Sequence, residues 1–558
     1  MPPIGKILDM ISSTVAAREA VATLVGAGVR TFVLCPGSRS APLAIALAEA
    51  ERAGAVRLHV ETDERVAGFV ALGFGTQNVP TAVVTTSGSA VANLHPAAEE
   101  ALHAAVPILF LTADRPHDMR GVRASQTTDH LAVLGGSVLH SVDIPTDTPN
   151  LRALRNQLMR AVRVALGVGF AGGRGAGPVH INMAFREPLV ERTPWESAKA
   201  DCMTGSTETK THNANPEQEK RTVVVAGPSR VLASEERAQE FADSLGQIPV
   251  LAEPSSLLRA LPQAVTAHPL LLSSELGKQI ERVVVIGHPT LTREVAALLA
   301  NEAVEVIVVD DQPTYTDVSG NSARVVDLVD LPAWLSIDIP WYQEWQRASI
   351  KARRYLHNAQ PQMDFPTVAR AISSSDVTTM LGASSIIREV NLYADCPGKV
   401  FAANRGLAGI DGTVSTSLGI ALASHEPVRV VVGDLTFIHD LGALVRTCGQ
   451  SESVDLQVVV VDDAGGSLFA TLEYGAGEVT TFDRVFRAAK ELDFAAFAQA
   501  VGEHVSFRRA SGNPASLAAE MDAFAGGIEV FVVELGREEM SEMRAKRLEW
   551  REQIMDLL

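Results

Sequence analysis

Basic charge, cysteine, aromatic side chains and long apolar runs are all scarce in this 558-residue chain. Against 66 Asp and Glu stand 48 Lys and Arg, a net charge of −18. No basic stripe is present to neutralise phosphates, which excludes a nucleic-acid-binding surface of the usual kind. With 5 Trp and 5 Tyr there is no base-stacking platform either. Cys35, Cys202, Cys396 and Cys448 are scattered and form no Cys-x-x-Cys pair. They read as reduced thiols of a cytoplasmic protein, not as a disulfide frame or a zinc site. No apolar run reaches membrane-spanning length. Residues 1–10 lack a basic segment followed by an apolar stretch, so no signal peptide is expected. What the chain does have is 46% hydrophobic and 20% charged residues, an ordinary globular balance, at a length that predicts about three domains.

Short β-branched runs alternate with alanine-rich stretches throughout, the pattern of parallel α/β units. Strands are predicted at 31–35, 56–60, 81–85, 107–112 and 179–184, with helices over 41–53, 65–77 and 89–104. A middle block offers strands at 222–226, 282–287 and 304–310. The last block offers 378–381, 399–403, 428–433, 456–462 and 529–535. Nearly all these runs are apolar on both faces, as strands covered by helices on each side must be. The polar stretch 191–221 reads as a linker, and a second boundary is expected where Trp and Pro interrupt a helical stretch between Leu331 and Phe365. The fold class predicted is therefore α/β, three doubly wound parallel-sheet domains: 1–190, then the linker, 222–345 and 346–558. The Gly-rich segment 172–177 leads into a proline and a strand, so it predicts a loop and not a dinucleotide fingerprint, which must open a helix.

Two segments carry chemistry. Gly433-Asp434-Leu435 ends one predicted strand, and Asp462-Asp463-Ala464-Gly465-Gly466 ends the next. In an open parallel sheet ligands collect beyond the carboxyl ends of strands, and two carboxylates there suit Mg²⁺, a hard cation that shares its octahedron with phosphate oxygens and water. Either aspartate alone is as well explained as a turn or cap residue. Glu61-Thr62-Asp63-Glu64-Arg65 follows another predicted strand. Glu64 there reads equally as a first-turn glutamate favoured by the helix dipole.

Together the two segments resemble the motifs of thiamine-diphosphate enzymes. The resemblance implies that Asp434 and Asp463 give side-chain oxygens and Gly465 a carbonyl to Mg²⁺, with Mn²⁺ the alternative. It implies that Glu64 activates the cofactor by hydrogen bonding to its aminopyrimidine, with Glu61 as rival. Ser87, Gly88, Gly433 and Leu435 fall in cofactor-binding motifs. The resemblance further implies that Ile410 is the apolar prop that bends the cofactor and that Leu468 and Phe469 line its other side. The chain departs from the pattern in having Leu435 for Gly and Asp462-Asp463 for Asn-Asn, which adds negative charge beside a diphosphate.

Further stretches narrow the family: Cys35-Pro36-Gly37-Ser38-Arg39-Ser40-Ala41-Pro42, Thr86-Ser87-Gly88-Ser89-Ala90-Val91-Ala92-Asn93, Leu111-Thr112-Ala113-Asp114-Arg115-Pro116 and Asn404-Arg405-Gly406 with Gly409-Ile410-Asp411-Gly412. They resemble the 2-succinyl-5-enolpyruvyl-6-hydroxy-3-cyclohexene-1-carboxylate synthases of menaquinone biosynthesis. That resemblance implies decarboxylation of 2-oxoglutarate on thiamine diphosphate and conjugate addition of the four-carbon carbanion to isochorismate. Ser38, Arg39, Arg115, Gln126, Ser384, Arg388 and Arg405 become the substrate-binding residues. The residue chemistry agrees, because two dicarboxylates need several guanidinium forks in an otherwise acidic chain. Arg293 ranks below these four arginines, as a middle-domain residue with reach to substrate or an effector. His95, His103 and His439 are read as structural.

The family resemblance also implies a pyrimidine-binding first domain facing the diphosphate-binding third domain of another subunit, hence a homodimer or tetramer. The alternatives are another thiamine-dependent 2-oxoacid carboligase of the acetolactate synthase kind, or a non-catalytic homologue that kept the cofactor fold.

Overall fold

The computed structural model describes the chain except residues 1–10, 147–150, 168–174, 192–219, 230–231, 233–234, 310–315, 317–321, 327, 329–330, 332–333, 359–361, 448–452, 473–474, 476 and, four single positions apart, 536–558. Most of the expected linker, the first half of the Gly-rich segment, Cys202 and Cys448 lie outside the described residues.

Among the described residues sixteen strands form three wholly parallel sheets. The first holds β1 (Thr31–Leu34), β2 (Arg57–Val60), β3 (Thr81–Thr85), β4 (Ile108–Asp114), β5 (His140–Ile144) and β6 (Val179–Ala184), in the order β2-β1-β3-β4-β6-β5. The second holds β7 (Thr222–Ala226), β8 (Val250–Ala252), β9 (Arg282–Ile286), β10 (Glu305–Val309) and β11 (Ser322–Val326), ordered β11-β10-β9-β7-β8. The third holds β12 (Thr378–Leu381), β13 (Val428–Gly433), β14 (Leu456–Asp462), β15 (Val505–Arg509) and β16 (Ile528–Glu534), ordered β12-β13-β14-β16-β15. This is the α/β architecture that the apolar runs predict.

The chain forms two compact units. One comprises Met1–Glu208 with Gly406–Glu426 and Asp440–Val454, and carries the first sheet. In it the helix Glu64–Thr76, apolar on most of its surface, packs on the helix Thr413–Ser424 so closely that a Cβ on Gly73 would lie 2.2 Å from the Thr416 carbonyl oxygen and 2.8 Å from Gly419 Cα. The other unit comprises Thr209–Arg405, Pro427–His439 and Asp455–Leu558 and carries the second and third sheets, joined by one apolar cluster.

Within the stretch 331–365 the helix Ile339–His357 runs on through Trp341 and Trp345; it is capped by Asp338, whose side chain accepts from Trp341 N at 3.0 Å, with Pro340 in its first turn where no N–H is missed. Trp341 and Trp345 meet edge to face, centroids 5.8 Å apart, inside the cluster shared by the two sheets. The helix predicted over 89–104 is two, Ser89–Ala92 and His95–His103, because Pro96 fits only a first turn. The strand predicted at 399–403 is reduced to one bridge, Ala402 to Met380, since Phe401 N donates instead to Pro254 O in the second sheet's loops. Strands β5, β8, β11 and β15 were not expected. β5 and β15 are part-exposed sheet-edge strands whose polar residues hide them from a search for apolar runs. Among the described residues no helix is long and apolar enough to cross a membrane.

Candidate functional site

The candidate residues divide between the two units. In the first unit, the order β2-β1-β3 reverses direction between β1 and β3, so the crevice beyond those two strand ends is a ligand position. Ser38 and Arg39 follow β1, Ser87 and Gly88 follow β3, and Arg115 follows β4. Arg115 Nη1 donates to Ser87 Oγ and, at 2.7 Å, to Gln126 O. Gln126 Nε2 in turn donates to Ser87 O at 3.0 Å. Gly88 has φ +83° and lies against Gln126, where a Cβ would come within 2.7 Å of Gln126 Cγ. Its N–H donates to His130 Nε2 at 3.3 Å, so His130 carries its proton on Nδ1, 2.8 Å from Asn182 Oδ1. Arg39 is buried, donates to Phe185 O at 2.9 Å, and is held below the usual arginine range by burial and then by the charge of Arg115. Two guanidiniums thus converge at one strand-end crevice, with Ser38 exposed at its edge.

Glu64 opens its helix behind the cap Asp63 and accepts from Asn93 Nδ2 at 3.0 Å. It is half-buried, while Glu61, at the end of β2, is buried. Burial pushes the Glu61 carboxyl up to about 7 against the pull of Arg446. Glu61, Glu64, Arg65, Asn93, Gly442 and Val445 are among the residues that line a cavity of about 480 Å³. Ile410 is 39% exposed in the same unit, with Leu407 and Val445 also exposed. Asn93 is a contributor that the sequence reading passed over, although it ends a quoted motif. Its amide is a signal only once the fold brings it to Glu64.

In the second unit, β13 and β14 run side by side with Gly433 opposite Val461, so Asp434 and Asp463 emerge at neighbouring strand ends. Asp434 is 3% exposed: Oδ1 accepts from Leu435 N at 2.8 Å, and Oδ2 has no partner among the described residues. Asp463 accepts from Ser467 Oγ, and burial, eased by that bond and reinforced by the charge of Asp434, pushes its carboxyl up to about 7. Burial likewise raises Asp434. Two mutually repelling buried carboxylates, one with an orphaned oxygen, suit a hard cation. Among the described residues no three His, Cys, Asp or Glu side chains could hold a metal together, so the remaining ligands fall to main chain, phosphate and water. Gly465, at φ +111°, turns the chain beside them with no room for a side chain, since a Cβ would meet Arg487 O at 2.4 Å. Leu468 and Phe469 follow, half-buried, in the 3₁₀ turn Ser467–Thr471. The residues present therefore fit a diphosphate–metal group.

Arg388 Nη1 in this unit donates to Ser384 O at 2.8 Å and Ala383 O at 3.1 Å. Arg405 is 4% exposed and donates through Nη2 to Thr290 Oγ1 at 2.9 Å. Arg293 is exposed at the start of the helix Arg293–Leu299. His95 and His103 lie beside Glu99, and His439 ends its helix exposed.

Residues 15–133 match the thiamine pyrophosphate enzyme N-terminal TPP binding domain, and residues 382–535 the C-terminal TPP binding domain. The chain is 42% identical to the 2-succinyl-5-enolpyruvyl-6-hydroxy-3-cyclohexene-1-carboxylate synthase of Kineococcus radiotolerans, over 88% of this chain and 91% of that one. It is 40% identical to the protein of the same name from an Arthrobacter species, covering 89% and 85%. With that of Nocardia farcinica the identity is 36% over 96% and 98%. The paired strand-end aspartates, the cavity at Glu64 and these whole-length likenesses agree: the chain belongs to the 2-succinyl-5-enolpyruvyl-6-hydroxy-3-cyclohexene-1-carboxylate synthase family of thiamine-pyrophosphate-dependent enzymes.

Proposed function

We propose that this synthase takes 2-oxoglutarate and isochorismate as its substrates, releases CO₂ from the first and joins the remaining four carbons to the ring of the second, a step of menaquinone biosynthesis. When bound, thiamine diphosphate supplies the electron sink that makes decarboxylation and carbon–carbon bond formation accessible. The chain's own residues do the rest. Glu64 holds or yields a proton at the aminopyrimidine edge, kept in orientation by the Asn93 amide. Asp434 and Asp463, with the Gly465 carbonyl, would hold the Mg²⁺ that balances the diphosphate charge. Ser87, Gly88, Gly433 and Leu435 seat the cofactor, and Ile410, Leu468 and Phe469 wall it off from water.

The observation that carries the substrate assignment is the convergence of Arg39 and Arg115 beside Ser38, Ser87 and Gln126, a cationic crevice in a chain of net charge −18. Arg388 and Arg405, with Ser384, supply a second pair in the other unit. Four guanidiniums match two dicarboxylates and over-provide for a monocarboxylate such as pyruvate. Residues 1–190 act as pyrimidine-binding domain, 222–345 as middle domain and 346–558 as diphosphate domain. The enzyme works in the cytoplasm as a homo-oligomer with sites completed between subunits, a reading supported by the exposed apolar Leu407, Ile410 and Val445.

The test is CO₂ release by the purified enzyme with thiamine diphosphate and Mg²⁺, comparing 2-oxoglutarate with pyruvate. A preference for 2-oxoglutarate is expected; preferential turnover of pyruvate overturns the assignment.

A further inference from the structure

The second sheet reverses direction between β7 and β9, and the loops leaving those strands touch backbone to backbone: a Cβ on Gly287 would lie 2.2 Å from Pro228 O. Glu253, immediately after β8, is 1% exposed beside this crossing. Its Oε1 accepts from Leu291 N at 2.6 Å, while Oε2 is buried with no hydrogen-bond partner among the described residues. The residue before Leu291 is Thr290, the anchor of Arg405 Nη2. Arg405 keeps Nε and Nη1 buried and without a hydrogen-bond partner among the described residues. A buried carboxylate with a spare oxygen and a buried guanidinium with two spare nitrogens are therefore tied to adjacent residues of one loop, Leu291 and Thr290, and the charge of Arg405 reaches Glu253. An orphaned buried polar atom is costly, and both groups are short of partners among the described residues.

We infer that Glu253 is the resident counter-charge of Arg405, and that a substrate carboxylate arriving at Arg405 takes over this role while Glu253 picks up a proton from solvent. The inference rests on the proposal that Arg405 binds substrate. Bond and charge balance: one O–H bond forms on Glu253, the proton comes from the buffer, and the incoming carboxylate replaces the charge that is neutralised. The charged groups acting on Glu253 are Arg405 and Arg388, both lowering its affinity for a proton, whereas burial, the larger effect, raises the carboxyl to about 7. A second anion brought to Arg405 raises it further, so the proton is taken up in the neutral range. Glu253 is thus a positioning residue acting through Arg405, supplied by the middle sheet, and the residue makes dicarboxylate binding proton-linked.

The test titrates the holoenzyme at pH 7.5–8 by calorimetry in two buffers of different ionisation enthalpy. Glutarate, which lacks the reactive oxo group, and isochorismate alone are the probes. Uptake of about half a proton per site is expected for at least one probe in wild type, and none in Glu253→Gln with binding retained. Binding without proton uptake, or equal uptake in the variant, overturns the inference and leaves the substrate proposal standing. No binding of either probe overturns the substrate proposal itself and the inference with it. Should Glu253→Gln fail to fold, the wild-type Kd serves: it is expected to tighten several-fold from pH 8 to 6.5, and a flat profile contradicts the inference.

Discussion

Asn93 Nδ2 donates to Glu64 Oε2 at 3.0 Å, fixing the orientation of a half-buried carboxylate that lines a cavity of about 480 Å³. The bond leaves Oε1 for a ligand. Glu64→Gln keeps the shape and removes the proton site, so kcat should fall by about 10²–10⁴-fold, the usual worth of a placed acid or base. Asn93→Leu should cost less, about tenfold, by loosening the same carboxylate. Steady-state kinetics on both variants, with circular dichroism to confirm folding, checks this order; a larger loss in Asn93→Leu contradicts it.

Glu61 carries the stability signature. Its folded-state carboxyl lies at about 7 through burial, above the unfolded value near 4.5. A raised acid contributes stability that is complete below the unfolded value and is lost as pH climbs through the folded one. Between pH 5 and 8 the Glu61→Gln variant should therefore gain on wild type by roughly 1–3 kcal/mol. Denaturant melts across that range read the difference; a constant offset between the two proteins contradicts it.

Asp434 and Asp463 are expected to be needed for metal before they are needed for cofactor. Asp434→Asn and Asp463→Ala should weaken Mg²⁺ binding in the presence of thiamine diphosphate by at least the ~10–100-fold seen when ligand surroundings are disturbed. Chelation of the wild-type enzyme should release the cofactor, since the extra carboxylates repel an unaccompanied diphosphate. Cofactor retained after exhaustive chelation would contradict the role given to the pair.

Gly73 has a packing role between two helices. Because a Cβ there would sit 2.2 Å from Thr416 O, Gly73→Ala must push two helices apart. Overpacking of this kind costs about 1–3 kcal/mol. Thermal unfolding should show it, while Gly54→Ala, whose Cβ meets nothing within 4 Å, should show only the smaller backbone strain of φ +70°.

The sequence is readable where local pattern and burial agree. β3, β6, β7, β12, β13 and β14 lie where their runs predict them, because a strand covered on both faces is built mainly of apolar and β-branched residues. Asp434 and Asp463 stand at the ends of two such runs, and it was the resemblance of their motifs that singled them out. Local pattern fails where tertiary contacts decide. Phe401 belongs to an apolar segment, yet its N–H goes to Pro254. Trp341 and Trp345 suggest a break but are the knobs of a buried helix face. Asn93 and Glu253 carry no local sign of their roles, which arise from chain segments far apart in sequence. The arginines Arg39 and Arg115 were legible as strand-end residues, but their mutual approach was not.

One measurement tests the central claim most directly: isochorismate consumption by the purified enzyme with thiamine diphosphate and Mg²⁺, with 2-oxoglutarate or pyruvate as donor and Glu64→Gln alongside. The account expects consumption that requires 2-oxoglutarate, releases one CO₂ per isochorismate and collapses in the variant. Consumption supported equally by pyruvate, or none with 2-oxoglutarate despite bound cofactor, would contradict it.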